Sequence, residues 1–180
     1  VVPVFPFPVM IISGLKELKG IKKEEDGSVV IGALTTSAEI AECEDVPYFV
    51  RKAASLMGAI SLRNSATIGG NLGNASPKGD LPQPLILLDA RVILESATSK
   101  REILVDDFIK GSKKTDLRDD EIITAVRIPE VKYTYGYYRK IGTRKANAIS
   151  KLSMSALLTL EDGVIKDFRV ASGAAGPKIA

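Results

Sequence analysis

The order of elements along this chain predicts an α+β protein, on three observations. A β-branched run, Val29-Val30-Ile31, follows Asp26-Gly27, which reads as a hairpin turn leading into a strand. Helical signals then occupy residues 36–57 and 82–88, and strand patterns return from Arg91 onward. Residues 154–160 and 164–170 flank Asp162-Gly163, the clearest hairpin in the sequence, because Asp-Gly meets the positive φ angles of a tight turn.

Taken in order, the elements have local causes. Residues 1–12 are apolar but carry Pro3, Pro6 and Pro8, and proline lacks the ladder donor of a central strand. They also lack the cationic region and cleavage site of a signal peptide. Thr36 precedes Glu39 by three positions, a capping box that starts a helix. That helix breaks near Glu44-Asp45-Val46-Pro47, and Pro47 suits the first turn of a second one. There Phe49, Val50, Ala53, Ala54 and Met57 fall at helical spacing and face the core. Pro82, Pro84, Leu85, Leu87 and Leu88 form a short apolar helix, with Asp80 placed to cap it. Residues 91–95 alternate as a strand, 102–105 are its hairpin partner, 110–120 are charged and exposed, and 121–128 are a strand ended by Pro129. The tyrosines of residues 133–138 are of the kind that stacks on nucleic-acid bases, but an aromatic-rich strand is the commoner explanation.

Length and composition exclude several classes. At 180 residues the chain suits one domain, or one plus part of another, and 45% apolar content supplies a sizeable core. A charge of +3 gives no dense basic face for nucleic acid. The absence of histidine removes histidine acid–base chemistry and the usual zinc sites. Cys43 alone forms no internal disulfide and holds no iron–sulfur cluster, and it fits a cytoplasmic compartment. The longest apolar runs are far below the roughly 20 residues of a membrane span.

Chemistry concentrates in residues 64–80, which are rich in Gly, Asn, Ser and Thr and lie between two apolar segments. Glycines there let a ligand approach the main chain, and consecutive N–H groups form a nest for an anion such as phosphate. An ordinary surface loop remains the bland alternative. A P-loop is excluded because no Lys-Ser or Lys-Thr follows a suitably spaced glycine pair, and Gly69, Gly70 and Gly73 lack the dinucleotide fingerprint's spacing.

The combination Thr67-Ile68-Gly69-Gly70-Asn71, then Asn74-Ala75-Ser76-Pro77, then Gly79-Asp80, resembles the FAD-binding (medium) subunit of molybdenum hydroxylases, the xanthine dehydrogenase and carbon monoxide dehydrogenase group. Ile31-Gly32-Ala33-Leu34-Thr35-Thr36, Ile60-Ser61-Leu62-Arg63, Glu121-Ile122-Ile123 and Tyr138-Arg139-Lys140 match the family in order and in rough spacing, so the resemblance covers most of residues 11–180. It implies an FAD-binding domain of the vanillyl-alcohol-oxidase/PCMH type over residues 1–130. Residues 131–180 would begin a smaller α+β domain with an antiparallel sheet. Relative to the family, a first glycine-rich loop of the A-G-G-T type is missing, so the N-terminus reads as incomplete or as having dropped a loop, and the C-terminal domain reads as shortened.

The resemblance also implies a set of FAD contacts. Met57 and Gly58 lie on the flavin side; from periodicity alone Met57 is core. Thr67, Ile68, Gly69, Gly70, Asn71, Asn74 and Ser76 form the phosphate-facing loop. The amides of Gly69, Gly70 and Asn71 meet the diphosphate, and Thr67, Asn71 and Ser76 donate from their side chains. Asp80, Ile123 and Lys140 complete the set; their bland readings are a helix cap, a buried strand residue and a solvated lysine. The resemblance implies no catalytic acid or base and no metal ligand on this chain. Its partners would be a molybdopterin-binding large subunit and a [2Fe–2S] small subunit in a hetero-oligomer, with no nucleic acid and no membrane. The expected function is to take electrons from those clusters and pass them to an external acceptor. Two alternatives stay open: a degenerate scaffold that has lost FAD, and an unrelated nucleotide-binding enzyme.

Overall fold

The computed structural model describes residues 9–179. The proline-bearing start of the chain, through Pro8, lies outside them. After a 3-10 turn at Lys16–Leu18, strands β1 (Ile21–Lys23) and β2 (Val29–Gly32) pair antiparallel across the Asp26-Gly27 turn, as the sequence predicts. Asp26 shapes the turn by accepting from the Ser28 amide at 2.9 Å, and Gly27 takes a φ of 80°.

Helix α1 (Ser37–Glu42) starts at the expected capping box: the Thr36 side chain accepts from the Glu39 amide, and the Glu39 carboxylate accepts from the Thr36 amide at 2.7 Å. Helix α2 (Tyr48–Ser55) begins one residue later than expected, with Pro47 as its N-cap. Phe49, Val50, Ala53 and Ala54 are buried; Met57 falls beyond the helix end and is half-buried. Helix α3 (Ile60–Arg63) and helix α4 (Ile68–Gly73) follow.

The stretch expected to be a glycine-rich loop is therefore partly helical. The cause is local: Thr67 caps α4 by accepting from the Gly70 amide, and Ile68 and Leu72, one turn apart, are both fully buried. Helix α5 (Pro82–Leu87) follows with proline in its first turn, but Leu81 is its N-cap and no side chain caps it. Asp80 is not the helix cap that the sequence allowed.

Strands β3 (Arg91–Glu95) and β4 (Lys100–Leu104) form the expected hairpin. A short helix α6 (Val105–Phe108) and a small hairpin of β5 (Ile109–Gly111) and β6 (Lys114–Thr115) lead to β7 (Ile122–Ile128). Strand β7 inserts between β2 and β3, giving a five-stranded antiparallel sheet in the order β1-β2-β7-β3-β4. Strands β8 (Tyr135–Gly142), β9 (Ser150–Glu161) and β10 (Val164–Gly173) form a separate antiparallel sheet in the order β10-β9-β8. Asp162 and Gly163 turn the last hairpin at φ 52° and 75°.

The helices lie between the two sheets: α4 packs on β2 and β7, while α2 and α5 pack on the three-stranded sheet. One core runs through all three layers, from Ile31 and Val126 through Phe49, Leu72 and Leu85 to Leu157. The inner face of the smaller sheet adds small and polar residues, among them Ser153, Ser155 and Ala171, to the buried Leu157 and Tyr138. Its outer face leaves Tyr135, Ile141, Met154 and Phe168 exposed.

Candidate functional site

Of the expected contact residues, Gly58, Thr67, Gly69, Gly70, Asp80, Ile123 and Lys140 gather at two cavities and one buried cluster, and Met57, Ile68, Asn71, Asn74 and Ser76 line neither cavity. The first cavity, ≈ 310 Å³, lies beside the start of α4. Thr67, Gly69, Gly70 and Ile123 line it, together with Ala33 and Glu121. Gly69 is held against β2: its amide donates to the Ala33 carbonyl at 2.9 Å, and an added Cβ would meet the Ala33 Cβ at 2.8 Å. Gly70 is exposed, and an added Cβ there would meet only Thr67 Oγ1, at 3.1 Å. The main chain is thus approachable at Gly70 but not at Gly69.

The amide nest expected here is not free. Gly69 N–H donates to Ala33, Gly70 N–H to Thr67 Oγ1 at 3.1 Å, and Asn71 N–H to the Thr67 carbonyl at 2.9 Å. The helix that Thr67 nucleates consumes these donors, because a capped first turn satisfies its own amides. The Asn71 side chain is different: among the described residues its buried Oδ1 has no partner, which leaves an acceptor for a hydroxyl or amide to satisfy.

Other members of the set have structural tasks. Ile68 is a fully buried core residue. Asn74 Oδ1 accepts from Lys113 Nζ. Ser76 Oγ accepts from the Lys78 amide at 3.3 Å in a local turn. Sequence reasoning did not single out Glu121. Its carboxylate closes on Arg101, which donates from Nε at 2.6 Å and from Nη2 at 2.7 Å. Those hydrogen bonds hold the Glu121 carboxyl down to about 2. The signal that would find it is long-range, since Arg101 sits on the neighbouring hairpin.

The second cavity, ≈ 270 Å³, lies between the end of α2, helix α3 and the β8–β9 connection; Gly58 and Lys140 line it. Gly58 adopts φ +48°, and an added Cβ would meet Leu62 Cδ1 at 2.7 Å, so any side chain there is strained. The neighbouring Met57 accepts at Sδ from the Ser37 hydroxyl at 3.4 Å. Lys140 is no solvated lysine. Its ammonium donates to Asp80 Oδ2 at 2.8 Å and to the Leu56 carbonyl at 3.2 Å, and its side chain is only 8% exposed.

Asp80 anchors the buried cluster. Tyr138 donates to its Oδ1 at 2.7 Å, and Ser150 donates to the same oxygen at 3.0 Å. Burial and the Asp80 charge push the Tyr138 phenol far above its ordinary range, so it stays a donor. With three donors on it, Asp80 lines neither cavity; it fixes Lys140, which does.

These residues fit a flavin dinucleotide in their side chains and concavities: an orphaned acceptor at Asn71, an approachable backbone at Gly70 and a pinned cation at Lys140. They do not supply the amide cradle. Sheets and helices in this order, with one concavity beside a capped T-I-G-G-N turn and another beside Lys140, suit a cofactor-holding α+β protein.

Comparison with known proteins gives the family. Residues 4–131 match the family described as the FAD binding domain in molybdopterin dehydrogenase, and the chain belongs to it. It is 37% identical over 165 residues to the nicotinate dehydrogenase FAD-subunit of Eubacterium barkeri, covering 87% of this chain and 55% of that one. It is 33% identical over 171 residues to the glyceraldehyde dehydrogenase medium chain of Sulfolobus acidocaldarius, covering 93% and 60%. The fold matches a chain of carbon monoxide dehydrogenase from Hydrogenophaga pseudoflava with a TM-score of 0.85 at 27% identity, over 91% of this chain and 58% of that one. The chain therefore spans a little over half the length of these relatives. Its fold is the α+β FAD-binding fold expected from the sequence, and FAD is the cofactor of its family. Among the described residues, no helix is long and apolar enough to cross a membrane.

Proposed function

We propose that this chain is the flavin-holding part of a molybdenum hydroxylase, a cytoplasmic electron-transfer subunit. In this reading it receives electrons from [2Fe–2S] clusters on a small partner subunit and delivers them to an external acceptor. Substrate is handled by a molybdopterin-binding large subunit. The reading is supported by one coincidence above others: the family match runs through residues 4–131, and the cavity beside the T-I-G-G-N turn lies within that segment. The named relatives differ in substrate (nicotinate, glyceraldehyde, carbon monoxide), which suits a subunit that holds the flavin and leaves substrate choice to another chain.

When bound, the flavin supplies the electron chemistry. The protein supplies position, exclusion of water and charge. Thr67, Gly70 and Ile123 shape one wall, and Asn71 offers its unpartnered acceptor. Gly58, with Met57 beside it, and Lys140 shape the other place, with Asp80 acting through Lys140 rather than on the ligand. No acid or base of the chain moves a proton of the substrate.

The test is the absorbance spectrum of the purified full chain before and after incubation with FAD. The expected result is retained flavin absorbance that denaturation releases. A folded protein that never retains flavin rejects the reading. One observation favours a second reading, a scaffold that assembles with the other subunits without FAD: the internal use of all three amides at Gly69, Gly70 and Asn71. Its signature is co-purification with the partner subunits and no flavin uptake.

A further inference from the structure

Lys140 reaches its cavity as one end of a buried pair. An ammonium carries three N–H donors; Asp80 Oδ2 takes one at 2.8 Å and the Leu56 carbonyl a second at 3.2 Å, which leaves the third for the cavity that Lys140 lines. Asp80 stands behind it and lines neither cavity, so the pair is a dipole with its positive end on the cavity wall. The other carboxylate oxygen fixes that direction. Asp80 Oδ1 accepts from Tyr138 at 2.7 Å and from Ser150 at 3.0 Å, and these two neutral donors occupy the oxygen that would otherwise compete for the ammonium. Tyr138 is 5% exposed and Ser150 1%, so bulk water does not stand in for them.

The two hydroxyls are themselves held by the fold. Tyr138 and Lys140 are two residues apart on β8 and so share its inward face, while Ser150 opens β9 opposite Gly142. The Ser153 hydroxyl donates to the Tyr138 oxygen, and the Gln83 amide of α5 donates to Ser153. A chain of polar groups therefore runs from α5 through β9 and β8 to Asp80 and Lys140. Chains of buried hydrogen bonds lock the side chains within them.

We propose that Tyr138 and Ser150 are positioning residues that hold Lys140 as the positive end of this pair on the cavity wall. Neither lines the cavity, so both act through Asp80. The inference rests on the flavin reading for what the cavity holds and deepens it by naming what sets the charge there. Positive charge fixed beside a flavin stabilises the electrons it accepts. Losing either hydroxyl frees the Asp80 carboxylate to turn, and the ammonium with it, which weakens that stabilisation.

Tyr138→Phe, Ser150→Ala and the double variant test this with two readouts. The first needs no cofactor: acetylation of the full chain by acetic anhydride, followed lysine by lysine by mass spectrometry. Lys140 should label slowly in the wild type and up to about tenfold faster in the double variant, the effect of roughly one lost hydrogen bond, while the other lysines keep their rates. A variant that merely destabilised the fold would speed other protected lysines as well. Ser150→Ala keeps the Tyr138 hydroxyl on Asp80, so it carries the test should the double variant not fold. The second readout is the midpoint potential of the FAD-loaded chain, which should move negative in each single variant and further in the double one. Equal labelling of Lys140 in wild type and variants, or an unchanged potential in a variant that retains FAD, overturns the proposal. A wild type that never takes up flavin, with Lys140 labelling still faster in the variants, sinks only the flavin reading.

Discussion

The two sheets solve the problem of packing against the same helices in opposite ways. The five-stranded sheet buries its large apolar residues, Ile31, Val92, Leu94, Val126 and Ile128, toward the core. Apart from Leu157 and Tyr138, the three-stranded sheet turns small and polar groups inward, and it leaves many large apolar ones outside. Its glycines show why: an added Cβ at Gly136 would meet Phe49 Cδ1 at 2.4 Å, and one at Gly173 would collide with the Gln83 side chain. At these glycines the helices come so close that no side chain fits, and beside the buried Leu157 hydrogen bonds supply the specificity, from Tyr138, Lys140 and Ser150 to Asp80 and from Gln83 to Ser153. Burial of area holds the first sheet; polar pairing and close fit hold the second.

This contrast can be broken at its polar end. Asp80→Ala strips the partner from a lysine whose side chain is 8% exposed, and should cost about 3–5 kcal/mol in urea unfolding, the penalty of a buried charge left unpaired. Flavin retention should fall with it if the proposed function holds. Gly136→Ala tests the close fit. It should destabilise by about 1–3 kcal/mol through overpacking against Phe49, and Phe49→Leu in the same chain should recover part of that loss. A pH effect comes next. Arg101 holds the Glu121 carboxyl down to about 2 from an ordinary value of 4.5, so its stabilising effect is complete above pH 4.5 and is lost as the pH falls from there toward 2. Melting temperature against pH should drop across that window, and Glu121→Gln should flatten the drop while lowering stability at neutral pH. The smallest effect belongs to the outer face of the small sheet. Phe168→Ser, at a side chain 61% exposed, should change stability by no more than about 0.5 kcal/mol, whereas Ile31→Ala should cost about 2–5 kcal/mol.

Local signals carried most of the fold. The Asp26-Gly27 and Asp162-Gly163 turns, the Thr36 and Glu39 box and the prolines of α5 each act within a few residues, so the sequence alone exposes them. The T-I-G-G-N combination likewise led to the right family. Long-range partnerships were not legible. Asp80 could be read as a cap because its true donors come from strands β8 and β9. The Gly69 amide could be read as free because its acceptor, Ala33, is defined only once α4 meets the end of β2, while the amides of Gly70 and Asn71 are taken locally by Thr67 once a helix starts there. Alternation in β8 and β9 predicts two faces but not which one turns inward, and one cavity joins Arg63 at the end of α3 to Lys140 on β8 and Arg144 just after it, partners far apart in sequence.

The touch between Ala33 and Gly69 ties the width of one crevice to two tiny residues on separate elements, since both line it and an added Cβ at Gly69 would strike Ala33 at 2.8 Å. A bulkier neighbour at Ala33 would therefore wedge α4 off its strand and alter what can enter, with every donor, acceptor and charge around the opening left unchanged.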